Sequence, residues 1–403
     1  MDNWKRTFAI IWSGQFISQL TSSIVGYAVV FWLSLETKSP EVLAFAVLAW
    51  SLPQIVLGLF AGVYIDRWDR KRVMIVSDMF IALCTFLLFV LLLAGSMELS
   101  YFYILFACRG VGGAFHSPAF QASIPLLAPE QELTRISGIN QSIQSVCNII
   151  APVIGATLIA FTRIEYILLL DVAGAVIACA SLLFVTIRSP LKTATENRMY
   201  REIRECFSII RSTKGMTPLF FCFTLVTFVI TPVAILFPFI TIDHFNGGSF
   251  QMGLIETIWG LGALGGGLLV AGKLLRTNAI ILINAMYVVL GIYLIVSGML
   301  PPHGFIIFAA LTIAGGISYT IANALFVAVI QRNIAPSILG RVFSVFFSLS
   351  MMPSVIGIAA SGFLAEEIGI TAVFISGGII IIFIGIGGYF INSMLGLGKT
   401  HMQ

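Results

Sequence analysis

The sequence predicts an all-α integral membrane protein of twelve transmembrane helices, arranged as two pseudo-symmetric six-helix halves. Three observations carry this reading. Of 403 residues, 59% are hydrophobic and 10% charged, with a mean hydropathy of +1.02, well beyond a water-soluble chain of this length. Apolar runs of about 20 residues, long enough to cross a bilayer as helices, recur along the whole chain. One long polar connection, 188–216, divides them six and six.

The spans read from the runs between charges and Gly/Pro breaks are 8–33, 42–64, 73–95, 100–123, 138–161 and 164–187 in the first half. In the second half they are 217–242, 250–272, 278–299, 304–328, 340–363 and 370–392. The first follows Lys5 and Arg6 as a signal peptide would, but it continues without a small-residue cleavage site and is read as an uncleaved span. Basic residues accumulate on the cytoplasmic side. With both termini inside, Lys38, Arg109 and Arg163 are the only ones of the 22 Lys and Arg residues not in cytoplasmic segments. The chain thus divides into a half at 1–187, a cytoplasmic linker at 188–216 and a half at 217–403.

In the linker, Met199, Ile203, Phe207 and Ile210 recur at helical spacing among basic neighbours, and Thr193 with Glu196 fits a capping box. This predicts an amphipathic helix on the inner membrane surface. The halves carry a weak repeat: Ala128-Pro129 followed by Arg135, and Ala335-Pro336 followed by Arg341. Two related six-span halves are the trace of a transporter that rocks one half against the other.

Six of the seven residues from 66 to 72 are charged. The stretch "GVYIDRWDRKR" resembles the signature between spans two and three of the major facilitator superfamily. Gly62, Asp66, Arg67, Arg70 and Lys71 match, Tyr64 stands where Leu is usual and Asp69 where Gly is usual. "NWKRTFAIIWSGQFISQLTSSI", "GAFHSPAF", "DHFNG", "GMLPPHGFIIF" and "LGRVFS" are similar to the bacterial macrolide-efflux branch of that superfamily. The resemblance implies export of macrolides from the cytoplasm across the inner membrane in exchange for protons, and a cytoplasmic gate in which Asp66 and its basic neighbours latch near Gly340 and Arg341. "NIIAPVIGA" keeps Pro152 and Gly155 of the antiporter signature on span five, with Ala151 and Ala156 in place of glycines.

Ionisable residues inside a span cost several kcal/mol unless paired or facing water, so each is a functional candidate. Arg109, Asp171 and Glu256 are singled out. Either carboxylate can carry the coupling proton with Arg109 tuning it, Glu256 before Asp171; otherwise Arg109 and Asp171 form a fixed pair that locks helices. Gln141, Gln144, Asn148, Pro152 and Gly155 share one stripe of span five, and Glu256, Gly260, Ala263 and Gly267 one of span eight. They are expected to line the contact between halves and part of the substrate cavity, with Asn323 and His116 as further polar candidates and His116 read as structural. Trp32, Trp50, Trp259, Tyr27, Tyr319 and Phe228 are candidate aromatic lining.

"GLGKT" at 396–400 lacks the earlier Gly of a phosphate-binding loop, where Ser393 stands, so an ion gradient rather than ATP is expected to supply the energy. The six cysteines show no metal-ligand spacing and no nucleophile triad is visible. The expectation is no enzyme, no cofactor, no metal and no nucleic-acid partner; the partners are the bilayer, the proton and a small amphipathic substrate, handled by a monomer. Export of a siderophore or other amphipathic metabolite is the alternative, and a membrane-embedded enzyme or lipid scramblase the alternative of a different class.

Overall fold

The computed structural model describes residues 3–65, 68–95, 98–127, 129, 132–185, 208, 210–213, 215–271, 278–334 and 336–394. Twelve long helices follow one another: α1 (Asn3–Thr37), α2 (Pro40–Ile65), α3 (Arg70–Leu93), α4 (Leu99–Leu127), α5 (Leu133–Phe161), α6 (Ile164–Leu183), α7 (Met216–Ile235), α8 (Ser249–Ala271), α9 (Ala279–Met299), α10 (Phe305–Asn333), α11 (Pro336–Ile368) and α12 (Ile370–Met394). Eleven are long and apolar enough to span a membrane. The further helix is α4, which carries Arg109 and His116 within it. The predicted amphipathic helix of the linker lies almost wholly outside the described residues.

α3 shows why the chain belongs in lipid. Val76, Met79, Phe80, Leu83, Phe86, Leu87 and Val90 recur at helical spacing and are exposed, while Ser77, Asp78, Cys84 and Thr85 are buried. An apolar outside around a polar inside suits hydrocarbon rather than water. Asp69 starts this helix: its carboxylate accepts the Arg72 backbone N–H at 3.0 Å, which explains a residue standing where the family usually has Gly.

The chain forms two compact units, Met1–Lys38 with Val42–Ala194, and Ser39–Glu41 with Thr195–Gln403. In the first, α1 packs on α5 and α6, and α3 on α4 and α6. Its core has an apolar layer at one end holding Ile11, Met74, Ala119 and Leu182, and another toward the opposite end holding Val25, Leu88, Phe102 and Leu168. These fix the register of α1, α3, α4 and α6.

In the second unit α8 packs on α10, α9 on α12 and α10, and α7 on α11 and α12. Close approach rests on glycine: a Cβ at Gly316 would lie 2.4 Å from the Trp259 carbonyl oxygen, and one at Gly291 2.5 Å from that of Gly378. α11 turns into α12 through Gly369 at φ 86°, a left-handed conformation that a side chain disfavours.

The seventh predicted span, 217–242, is interrupted. α7 stops at Ile235, a short turn of helix covers Phe237–Phe239, and Ile240–His244 is wound as a π-helix. Pro238 cannot donate to the helix ladder, and the run stays apolar across the break, which hid it from hydropathy.

Candidate functional site

Next to the second apolar layer of the first unit, Arg109 from α4 meets Asp171 from α6 at 3.0 Å. The carboxylate, 1% exposed, also accepts the hydroxyls of Ser22 in α1 at 2.5 Å and Thr85 in α3 at 2.7 Å. The guanidinium lies 5.4 Å from the centre of the Phe106 ring. One carboxylate thus ties four helices. Both readings open for this pair, a fixed tie and a carboxylate tuned by Arg109, start from this contact.

Two turns away along the same helices sits a second polar pair, Asp78 of α3 with His116 of α4, Oδ1 to Nε2 at 3.1 Å. Asp78 is 5% exposed. Sequence reasoning passed over Asp78 because it stands close to the start of the predicted third span, where a charge is inexpensive. The missed signal is that Asp78 and Thr85 in α3, and Arg109 and His116 in α4, share one heptad spacing.

In the second unit Glu256 is half-buried in α8, and among the described residues it has no ion-pair partner. One turn along α8, Trp259 is the centre of an aromatic group, 5.8 Å from Phe237, 6.2 Å from Tyr293 and 5.8 Å from Tyr319 between ring centres. Tyr293 lies within the electrostatic reach of Glu256 and its hydroxyl meets Thr312 at 3.3 Å. A lone carboxylate beside electron-rich rings can hold a proton or an organic cation.

The stripe on α5 is partly used inside its own unit. Gln19 of α1 donates to Gln144, and Gln144 donates to Asn148 at 3.3 Å. A Cβ at Gly155 would meet Ile24 and Ala28 of α1 at 3.1 Å. Both Gln144 and Asn148 remain exposed; Pro152 lies within α5, and the Gln141 side chain is outside the described residues. On α8, Gly260 is buried, but the backbone approach to α10 falls on Gly262 and Gly266, whose Cβ atoms would lie 2.5 Å and 2.7 Å from the carbonyl oxygens of Ile313 and Ile317. Asn323 donates to the Tyr319 carbonyl in its own helix at 2.9 Å.

Of the predicted gate, Asp66 and Arg67 and the Arg341 side chain lie outside the described residues; Gly62 lies in α2 and Gly340 in α11. Arg70 donates to the Ala122 carbonyl at 2.5 Å and Lys71 to the Val185 carbonyl at 2.7 Å. Arg70 thus reaches the last turns of α4, and Lys71 a residue just past the end of α6, within the first unit. No group of three or more His, Cys, Asp or Glu able to hold a metal occurs among the described residues.

Twelve helices in two units, with buried polar layers inside them, meet a clear match: residues 11–350 fit the family model described as Major Facilitator Superfamily. The chain belongs to the major facilitator superfamily. It is 36% identical over 395 residues to Macrolide efflux protein A of Streptococcus pyogenes, covering 98% of each chain. It is 35% identical over 309 residues to the Enterococcus faecalis protein of that name, covering 76% of this chain and 96% of the other. These place it in the macrolide-efflux branch. A bacterial homologue of the iron transporter ferroportin, solved in the inward-facing state, superposes with a TM-score of 0.74 at 16% identity, covering 95% of this chain and 98% of that one. That likeness shows the fold alone. The major facilitator chain is a membrane transporter.

Proposed function

We propose that this transporter exports macrolide antibiotics from the cytoplasm by alternating access, driven by protons entering in exchange. The observation that carries the substrate class is the 36% identity to a macrolide efflux protein along nearly the full length of both chains. The proton coupling is supported by Glu256, a carboxylate with no ion-pair partner among the described residues, one turn of α8 from Trp259, whose ring neighbours Tyr293 and Tyr319.

In this reading Glu256 alternates between a proton and the protonated amine of the macrolide. A buried carboxylate accepts one positive charge at a time, so each excludes the other and the two move in opposite directions. The aromatic group gives the amine a surface that water cannot match. Arg109 and Asp171 hold helices of the first half together. Asp66 with Arg341 remains the proposed cytoplasmic gate, with both termini on the cytoplasmic side and a monomer as the working unit.

The test is a susceptibility panel in a bacterium stripped of its own pumps. Expression is expected to raise macrolide tolerance about tenfold, and a protonophore to abolish the accompanying efflux. Unchanged macrolide tolerance with good membrane expression, or efflux indifferent to the protonophore, overturns the reading. Siderophore secretion measured on the same strains separates the alternative substrate.

A further inference from the structure

We propose that Asp78 and His116 form a second proton-binding site, in the first half of the molecule, and that its proton adds to the one exchanged at Glu256; the inference rests on proton-coupled export as argued above.

The register places the site. Ile11, Met74, Ala119 and Leu182 share the end layer of the core. One turn further along each helix come Gln15 of α1, Asp78 of α3, His116 of α4 and Cys179 of α6. The contacts between helices agree: Cys179 donates to the Ile75 carbonyl at 3.8 Å, and a Cβ at Gly14 would meet Ser181 of α6. Asp78 lies eight residues beyond the start of α3, about 12 Å along the helix, and is buried there. Among the described residues, this is the only pair within the spans that sets a carboxylate against a histidine. Arg109 keeps its charge at every physiological pH, whereas histidine changes charge near neutrality.

The site also has unused capacity. Asp78 Oδ2, His116 Nε2 and Gln15 Nε2 are buried polar atoms without a hydrogen-bond partner, the Oδ1 contact at 3.1 Å being close but off-axis. His116 is the reachable member, with a side chain 20% exposed against 7% for Asp78. Among the described residues, no fixed charge is in contact with the pair from the packed helices. α6 presents the Cys179 thiol, within reach of the Asp78 charge. α1 presents the neutral Gln15, and α2 the neutral Gln54, 3.2 Å from a Cβ built at Gly113. Arg109 and Asp171, two turns off, neutralise each other.

The proton adds to His116 without breaking any bond. The pair passes from a net charge of minus one to zero, the state a low-dielectric interior favours. With one proton at Glu256 and one here, two protons enter for each monocationic macrolide leaving. One net positive charge then moves inward per cycle, so the membrane potential as well as the pH gradient drives export.

The experiment uses the full chain in proteoliposomes with radiolabelled erythromycin, applying a pH gradient or a potassium-valinomycin potential separately, alongside erythromycin exchange without any gradient. The native chain is expected to respond to both forces. His116→Gln and Asp78→Asn are expected to lose the response to potential, about tenfold or more, while retaining exchange within about twofold and a residual response to pH. A native chain driven by the pH gradient but indifferent to potential overturns the second site and leaves proton coupling standing. A native chain indifferent to the pH gradient overturns proton coupling itself. A His116→Gln chain that keeps its potential response, or loses exchange in equal measure, shows a packing role and also overturns the site.

Discussion

A single charged residue in a span is readable from sequence because hydrocarbon makes it expensive; its role is not, because that depends on what faces it. Arg109 and Asp171 stood out from composition, yet only the fold brings Ser22 and Thr85 onto the same carboxylate. Asp78 escaped notice because its cost is judged from depth, and depth near a predicted span end is ambiguous by a turn. The Arg109–Asp171 tie yields a direct prediction. Asp171→Asn leaves a buried guanidinium unpaired and is expected to cost about 3–5 kcal/mol, read as a lower unfolding temperature in detergent. The double variant Arg109→Met with Asp171→Leu removes both charges and should recover much of that loss. If the double variant also retains transport driven by a pH gradient, the pair is structural; loss of driven transport at native stability assigns it a proton.

At the scale of elements, eleven predicted spans match helices to within a turn or two at most ends, because a helix in lipid needs little beyond apolar length and flanking polarity. The exception is the seventh, where Pro238 and the π-wound Ile240–His244 interrupt a run of unbroken hydrophobicity. Helix seams were less legible. The α8 stripe was read through Gly260, Ala263 and Gly267, whereas Gly262 and Gly266 make the backbone contact with α10. Several glycines crowd one helix here, so periodicity alone allows more than one face. A substitution pair tests the seam. Gly316→Val must displace the Trp259 carbonyl, since even a Cβ would lie 2.4 Å from it; the expected loss is about 1–3 kcal/mol. Gly267→Ala meets only the Thr320 methyl at 4.0 Å and should be neutral or slightly stabilising through helix propensity. Equal unfolding temperatures for the two variants would place the seam elsewhere.

At the scale of the whole molecule, the charged cluster at 66–72 is asked to do three things, and they separate under mutation. As a topology signal, Arg70, Lys71 and Arg72 act with basic residues spread over every segment assigned to the cytoplasm, so no one cluster decides orientation. As local ties, Arg70 binds the Ala122 carbonyl in the last turns of α4 and Lys71 the Val185 carbonyl just past α6, a contribution that no other segment replaces. As part of the proposed gate, Asp66 would act through its carboxylate and not through the contacts of the basic residues. Replacing Arg70 and Lys71 with glutamine is therefore expected to leave the topology unchanged: a green fluorescent protein fused to the C-terminus stays bright, and alkaline phosphatase inserted after Gly95 stays active. The same variant should unfold at lower temperature, since two charge-assisted bonds of about 1.5–3 kcal/mol each are weakened. Asp66→Asn should do the reverse, holding stability while efflux falls. Inverted reporters in the first variant would make the cluster the dominant orientation signal after all, and lost efflux in both variants at native stability would assign the local ties to the gate.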